Sequence, residues 1–134
     1  MKYGIGHLSV VPCRAEASDK SEQVTQLLFG ETIKVYEKKR SWYRIKTAHD
    51  NYECWIDEKQ FLFITQRQFE ELQSQPPLVA ADFVQLIQHP KSGEMISLLM
   101  GANLPYFNKG TILLDGDEWK FEGISTDISK QLPK

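Results

Sequence analysis

The chain has 134 residues, of which 41% are hydrophobic and 25% charged, and it carries a formal net charge of −2. Such values belong to an ordinary folded protein rather than a disordered one, and no apolar run approaches the ~20 residues that a membrane span requires. Residues 1–72 hold 11 basic and 11 acidic side chains and residues 73–134 hold 5 and 7, so neither half has the positive excess that nucleic-acid binding as a main role would need.

In chain order, Tyr3 to Val11 alternates loosely and predicts a first strand ending at Pro12, which lacks a ladder donor. A polar stretch from Ala15 to Glu22 then predicts a long loop folded over a barrel. Val24, Leu27 and Leu28 lead into a turn at Gly30, and Ile33 and Val35 leave it, which reads as a hairpin. After the charged turn Glu37 to Ser41 come Trp42 to Thr47, the polar turn Ala48 to Asn51, and Tyr52 to Asp57. Five short strands with turn signals between them predict a small barrel or sandwich.

Ile64 to Leu72 changes period. Thr65, with Gln68 three residues on, predicts a capping box opening a helix of about two turns, and Ile64 with Phe69 fits its hydrophobic staple. Gln73 to Pro77 stops it. A second unit follows, with a strand over Asp82 to Ile87, a hairpin over Met95 to Phe107, and a hairpin turn at Asp115-Gly116-Asp117 between Thr111–Leu114 and Glu118–Glu122. From Ile124 the sequence predicts no further element and reads as a linker.

The two units share a pattern. Leu27-Leu28-Phe29-Gly30 lies over Leu98-Leu99-Met100-Gly101 at an offset of 71 residues, with Ile33 over Leu104, Val35 over Tyr106 and Tyr36 over Phe107. One duplicated unit accounts for the chain better than two unrelated halves. Each copy, at roughly 60 residues, buries a small core, so the two are expected to lean on each other. The predicted organisation is a barrel over residues 1–63, a helix and Pro-Pro linker over 64–77, a diverged barrel over 78–123 and a linker over 124–134.

Residues 8–57 resemble a bacterial SH3-type domain. The resemblance rests on Pro12-Cys13-Arg14-Ala15-Glu16, on Val24 to Glu31, on Trp42-Tyr43-Arg44-Ile45, and on Cys54-Trp55-Ile56-Asp57, where Cys54 stands in place of the usual glycine. Two such domains in tandem look like the N-terminal part of the NlpC-type cysteine peptidases that cut γ-D-glutamyl bonds in cell-wall peptides. In that family the catalytic domain follows and carries its nucleophile in an Asp-Cys-Ser-Gly motif. The resemblance therefore implies a non-catalytic module that binds and positions muropeptides, with an NlpC-type catalytic domain in cis as partner. A protein-interaction or scaffold module without a peptidoglycan ligand is the alternative.

Candidate chemistry is sparse. Cys13 and Cys54 lack the helix N-terminus or adjacent base that lowers a thiol pKa, so no catalytic residue is expected. They fit buried free thiols, with a disulfide left open. His7, His49 and His89 lack ligand spacing, so neither a metal nor another cofactor is expected. Lys38-Lys39-Arg40 with Trp42, Arg44 and Lys46 could meet phosphates and stack a base, but Glu37 and the balanced charge of the unit make a solvated hairpin tip beside a core aromatic the better reading. The candidate ligand-binding residues are Arg14, Glu16, Trp42, Tyr43, Trp55 and Asp57, a set of aromatics with one cation and two anions that suits a stem peptide carrying both charges. An ion pair from Arg14 to Glu16 or Asp57 that holds the loop is the structural alternative. Without an apolar signal core after Met1, a cytoplasmic location is expected if Met1 is the natural start, and the cell envelope otherwise. Neither a nucleic acid nor a membrane is expected as a partner.

Overall fold

The computed structural model describes residues 1–75, 78–81, 84–121 and 125–127. It is mostly β-structure, arranged in a seven-stranded sheet, a four-stranded sheet and a two-stranded sheet. The predicted all-β class and the two small SH3-like units with an intervening helix agree with this architecture.

Seven strands form the first sheet: β1 (Lys2–Gly6), β2 (Val10–Arg14), β3 (Gln23–Leu28), β4 (Thr32–Lys39), β5 (Trp42–Thr47), β6 (Glu53–Asp57) and β7 (Phe61–Ile64). Their order across the sheet is β3-β2-β6-β5-β4-β1-β7. Alternation decides which side chains go inside: Val11, Cys13, Leu27, Ile33, Val35, Ile45, Cys54, Ile56 and Phe61 make one buried cluster. Both cysteines lie in it as free thiols.

Two expectations for this half are corrected. The stretch from Tyr3 to Val11 is two strands, because the chain bends at His7 to Ser9 and sends β1 to β4 and β7 while β2 joins β3 and β6. Pro12 lies within β2, opposite Gln26; β2 meets β6 only at Arg14, so its missing amide breaks no ladder on that side. Nor is the Gly30 turn a hairpin. β3 and β4 do not pair; the chain turns a corner there, held by Glu31 N donating to Leu28 O (3.2 Å) and Leu28 N donating to Glu31 Oε1 (2.8 Å).

Helix α1 (Gln66–Ser74) starts where the capping box predicted it: Gln68 N donates to Thr65 Oγ1 and Thr65 N to Gln68 Oε1. Phe69 is buried against Tyr3, with ring centroids 4.5 Å apart. The helix is tied to both halves, since Thr32 Oγ1 donates to Gln73 Oε1 (2.9 Å) and Tyr106 donates its hydroxyl to Glu71 Oε1 (2.7 Å). Pro76 and Pro77 lie outside the described residues.

Beyond the helix come β8 (Leu78–Ala80), β9 (Val84–Gln88), β10 (Met95–Leu99), β11 (Thr111–Leu114), β12 (Asp117–Phe121) and β13 (Ser125–Asp127). They form a sheet of order β10-β9-β12-β11 and a pair β13-β8. The turn at Asp115-Gly116 has both residues at positive φ, 53° and 80°, as a two-residue hairpin turn demands. Two further corrections arise. Ser125–Asp127 is a strand against β8 rather than linker. And Ala102 to Phe107, predicted as the second arm of a hairpin, makes only an isolated bridge from Asn103 to Val79, because Pro105 has no amide to donate and Tyr106 sits at φ 52°.

The turns at Gly30 and Gly101 carry matching hydrogen bonds. Gly30 N donates to Gly6 O, Gly6 N to Glu31 O and Glu31 N to Leu28 O; Gly101 N donates to Ala80 O, Ala80 N to Ala102 O and Ala102 N to Leu99 O. The two turns also meet. Asn103 N donates to Phe29 O (3.0 Å), and Ile5 and Phe29 of the first half belong to the same buried cluster as Ala80, Ile87, Leu98, Ala102, Leu104, Ile112, Leu114, Trp119 and Phe121. The second core is therefore completed by side chains from the first half.

Candidate functional site

Strand parity sorts the candidate residues. Successive side chains on a strand point to opposite faces, so on β5 Ile45 and Thr47 turn inward with Tyr43, while Trp42, Arg44 and Lys46 turn outward. On β6, Cys54 and Ile56 are buried, which leaves Glu53, Trp55 and Asp57 on the outer face. The register then aligns Trp42 with Asp57, Arg44 with Trp55, Trp55 with Arg14, and Glu37 with Arg44. Four of the six candidates, Arg14, Trp42, Trp55 and Asp57, thus share one exterior surface, with Trp42 and Trp55 at diagonal positions, within aromatic reach.

Tyr43 is not on that surface. Its ring packs edge-on against Phe61 and Phe63, with centroids 5.5 Å away in each case, and it borders the first core. Glu16 stands apart in the β2–β3 loop, exposed, with its amide donating to Ser21 Oγ. The loop itself is fastened: Arg14 Nη1 donates to Ser21 O (3.2 Å) and Arg40 Nη2 to Ala17 O (3.1 Å). Among the described residues no ion pair joins Arg14 to Glu16 or Asp57. Asp57 instead caps the 3-10 turn Glu58–Gln60, accepting from Lys59 N, and also accepts from Ser41 Oγ (3.2 Å).

Arg44, weighed from the sequence only as part of a basic cluster and not among the peptide-binding candidates, shares this face, as its distance of two residues from Trp42 signals. It is held by more partners than Arg14. Its Nε donates to Glu37 Oε1 (2.9 Å), its Nη1 to Glu53 Oε1 (2.6 Å), and its guanidinium lies 5.0 Å from the centre of the Tyr36 ring. The surface consequently offers two indoles, a phenol and a guanidinium already saturated by carboxylates, plus a second guanidinium, Arg14, with one carbonyl contact. Such a surface can stack against carbon and receive a carboxylate. It carries no nucleophile.

Neither cysteine supplies one. Cys13 and Cys54 are buried, and the hydrogen bond that the Cys13 thiol, as its donor, shares with Cys54, followed by burial, pushes the Cys13 pKa far above the range in which a thiolate forms. A second polar group lies below the Gly30 turn. Glu31 is almost buried, its Oε2 is 3.0 Å from His49 Nδ1, and desolvation raises its pKa above the usual carboxylate range despite the Leu28 amide and His49. The carboxylate shapes the turn rather than facing a ligand.

Comparison with known proteins bears on the first sheet. Residues 13–61 match the family model described as the bacterial dipeptidyl-peptidase Sh3 domain. The matched segment runs from the end of β2 to the start of β7 and so contains Arg14, Glu16, Trp42, Tyr43, Trp55 and Asp57. Among solved structures, 93% of the chain superposes on a NlpC/P60 family protein from Bacillus cereus ATCC 10987 with a TM-score of 0.72 at 14% identity. The two share a fold. The chain spans 56% of the length of that protein. No curated protein matches the chain.

Proposed function

We propose that this chain is a non-catalytic module that binds cell-wall stem peptides and positions them for an NlpC-type peptidase domain in cis. The observation that carries the reading is the match of residues 13–61 to a peptidase-associated Sh3 domain; the fold shared with part of a larger NlpC/P60 protein supports it. In this reading residues 1–63 and 78–123 are tandem SH3-type units, the second a diverged copy, and the matching hydrogen bonds at Gly30 and Gly101 support the duplication. Trp42 and Trp55 stack against the carbon of the peptide, Arg14 takes a carboxylate, and Glu16 at the loop takes the free amine.

An NMR titration of the chain with L-Ala-γ-D-Glu-diaminopimelate tests this. Saturable shifts of the Trp42 and Trp55 indole N–H signals and of the Arg14 side chain are expected, and Arg14→Met should weaken binding by about tenfold or more. Hydrolysis of the peptide by the chain alone, or shifts confined to other residues, overturns the proposal. Binding of a protein partner at the same indoles with no response to the peptide would establish the scaffold reading instead.

A further inference from the structure

Strand β7 forms one edge of the seven-stranded sheet, and among the described residues no strand lies beyond it. Edges of this kind are commonly blunted by lysine, proline or a bulge. Phe61-Leu62-Phe63-Ile64 has neither charge nor proline, and its register against β1 runs without a break. The direction of its open backbone groups follows from β1. Gly6 N donates to Glu31 O and Gly6 O accepts from Gly30 N, both at 2.9 Å, so the peptide groups of Gly6 and, by alternation, of Gly4 face the β4 side. Those of Tyr3 and Ile5 then face β7, where they lie opposite Ile64 and Leu62. The ladder uses Ile64 and Leu62, which leaves the N–H and C=O of Phe63 directed outward from the sheet.

The Phe63 side chain stands in the open beside them. A Cβ at Gly4 would come within 2.7 Å of Phe61 Cδ2, so the glycine lets Phe61 sink against β1, while Phe63, two residues on and on the same face, remains 48% exposed. Its ring meets Tyr43 edge-on, and Lys2 Nζ lies 5.4 Å from its centre. Lys38 Nζ lies 5.6 Å from the centre of the Tyr43 ring and is engaged by Glu58 at 3.1 Å. Lys2, by contrast, is in no ion pair among the described residues. An exposed ring, a backbone pair open to a partner and an ammonium without a counter-charge thus meet at one residue of the edge.

We propose that β7 is a docking edge for an extended segment of a partner protein, one that carries an acidic residue two positions from an apolar one. The segment's backbone pairs with the N–H and C=O of Phe63 and adds a strand to the sheet. Its apolar side chain, directly opposite, lies on the Phe63 ring, and the acidic side chain, on the same face, reaches the Lys2 ammonium. Charge selects this occupant over a second copy of the chain. Two β7 strands paired through Phe63 would bring their Lys2 ammonium groups to one patch with no anion between them. The face that holds Trp42 and Trp55 plays no part, because Tyr43, Phe61 and Phe63 lie on the other side of the strands.

The test is an NMR titration of the full chain with acetyl-Glu-Thr-Val-Thr-Glu-amide, whose Glu and Val side chains share one face of a strand in either direction of docking. A saturable shift and slowed hydrogen exchange at the Phe63 amide are expected, with the Trp42 and Trp55 indole N–H signals unmoved. N-methylation at the peptide's valine removes the donor to Phe63 O and should weaken binding about tenfold or more. Lys2→Gln, at an exposed site, should weaken the peptide about two- to fivefold and leave its Gln-for-Glu counterpart unaltered. A Phe63 amide already protected in the free chain, no saturable shift there, equal binding of the methylated peptide, or an unchanged affinity in Lys2→Gln would each overturn the proposal.

Discussion

The turns at Gly30 and Gly101 make the same three hydrogen bonds and sit in opposite circumstances. A Cβ at Gly30 would come within 2.4 Å of Asn103 O, whereas at Gly101 the nearest atom would be Leu28 Cδ1 at 3.8 Å. Both glycines have positive φ, 79° and 94°, so both need freedom that other residues lack. Only Gly30 also needs empty space. The difference shows that the same turn can be local geometry at one place in the chain and a docking surface at another.

The sharpest way to break this comparison is through the residue beside Gly30. Phe29 is fully buried in the second cluster although it belongs to the first half. Phe29→Ala should cost about 3–5 kcal/mol, read by urea unfolding, with both halves melting in one transition. Two separated transitions in the unaltered chain would show that the cores are independent. Next in size, Gly30→Ala should cost about 2–4 kcal/mol, from left-handed strain together with overlap against Asn103 backbone. Gly101→Ala carries the strain alone and should cost about 1 kcal/mol; equal losses at the two sites would remove the distinction. Thr65→Ala, which removes the helix cap between the halves, should cost about 1 kcal/mol, seen as a lowered Tm.

The smallest effect concerns Glu31, whose carboxylate shapes the Gly30 turn while Gly101 has Ala102 in the equivalent place. Burial raises the folded pKa of Glu31, so the stability tied to its protonated form is present below the ordinary carboxylate pKa and is lost as pH rises through the raised value. Glu31→Gln should therefore gain on the unaltered chain as pH is raised from about 4, measured as the difference in unfolding midpoint. A change of the opposite sign would mean that the contact with His49 outweighs desolvation.

Much of the first half was legible because its strands alternate cleanly and its turns carry charge or glycine. The split at His7 was not, since Gly6 to Ser9 contains no strong turn pair and the bend is imposed by two different sets of partners. The strand at Ser125 to Asp127 has no apolar pattern; pairing with β8 defines it. In the candidate surface, parity was available from the start: adjacent Trp42 and Tyr43 on one strand cannot share a face, and Arg44 must join Trp42. The break in the second hairpin was signalled by Pro105, which has no amide to donate, whereas the left-handed conformation of Tyr106 beside it carried no signal in the sequence.

Ile5 on β1 and Phe29 in the turn after β3 close the second core, so the two halves share one interior. A break that parted the chain between its halves would cut through a hydrophobic core and leave apolar side chains of the second half open to water.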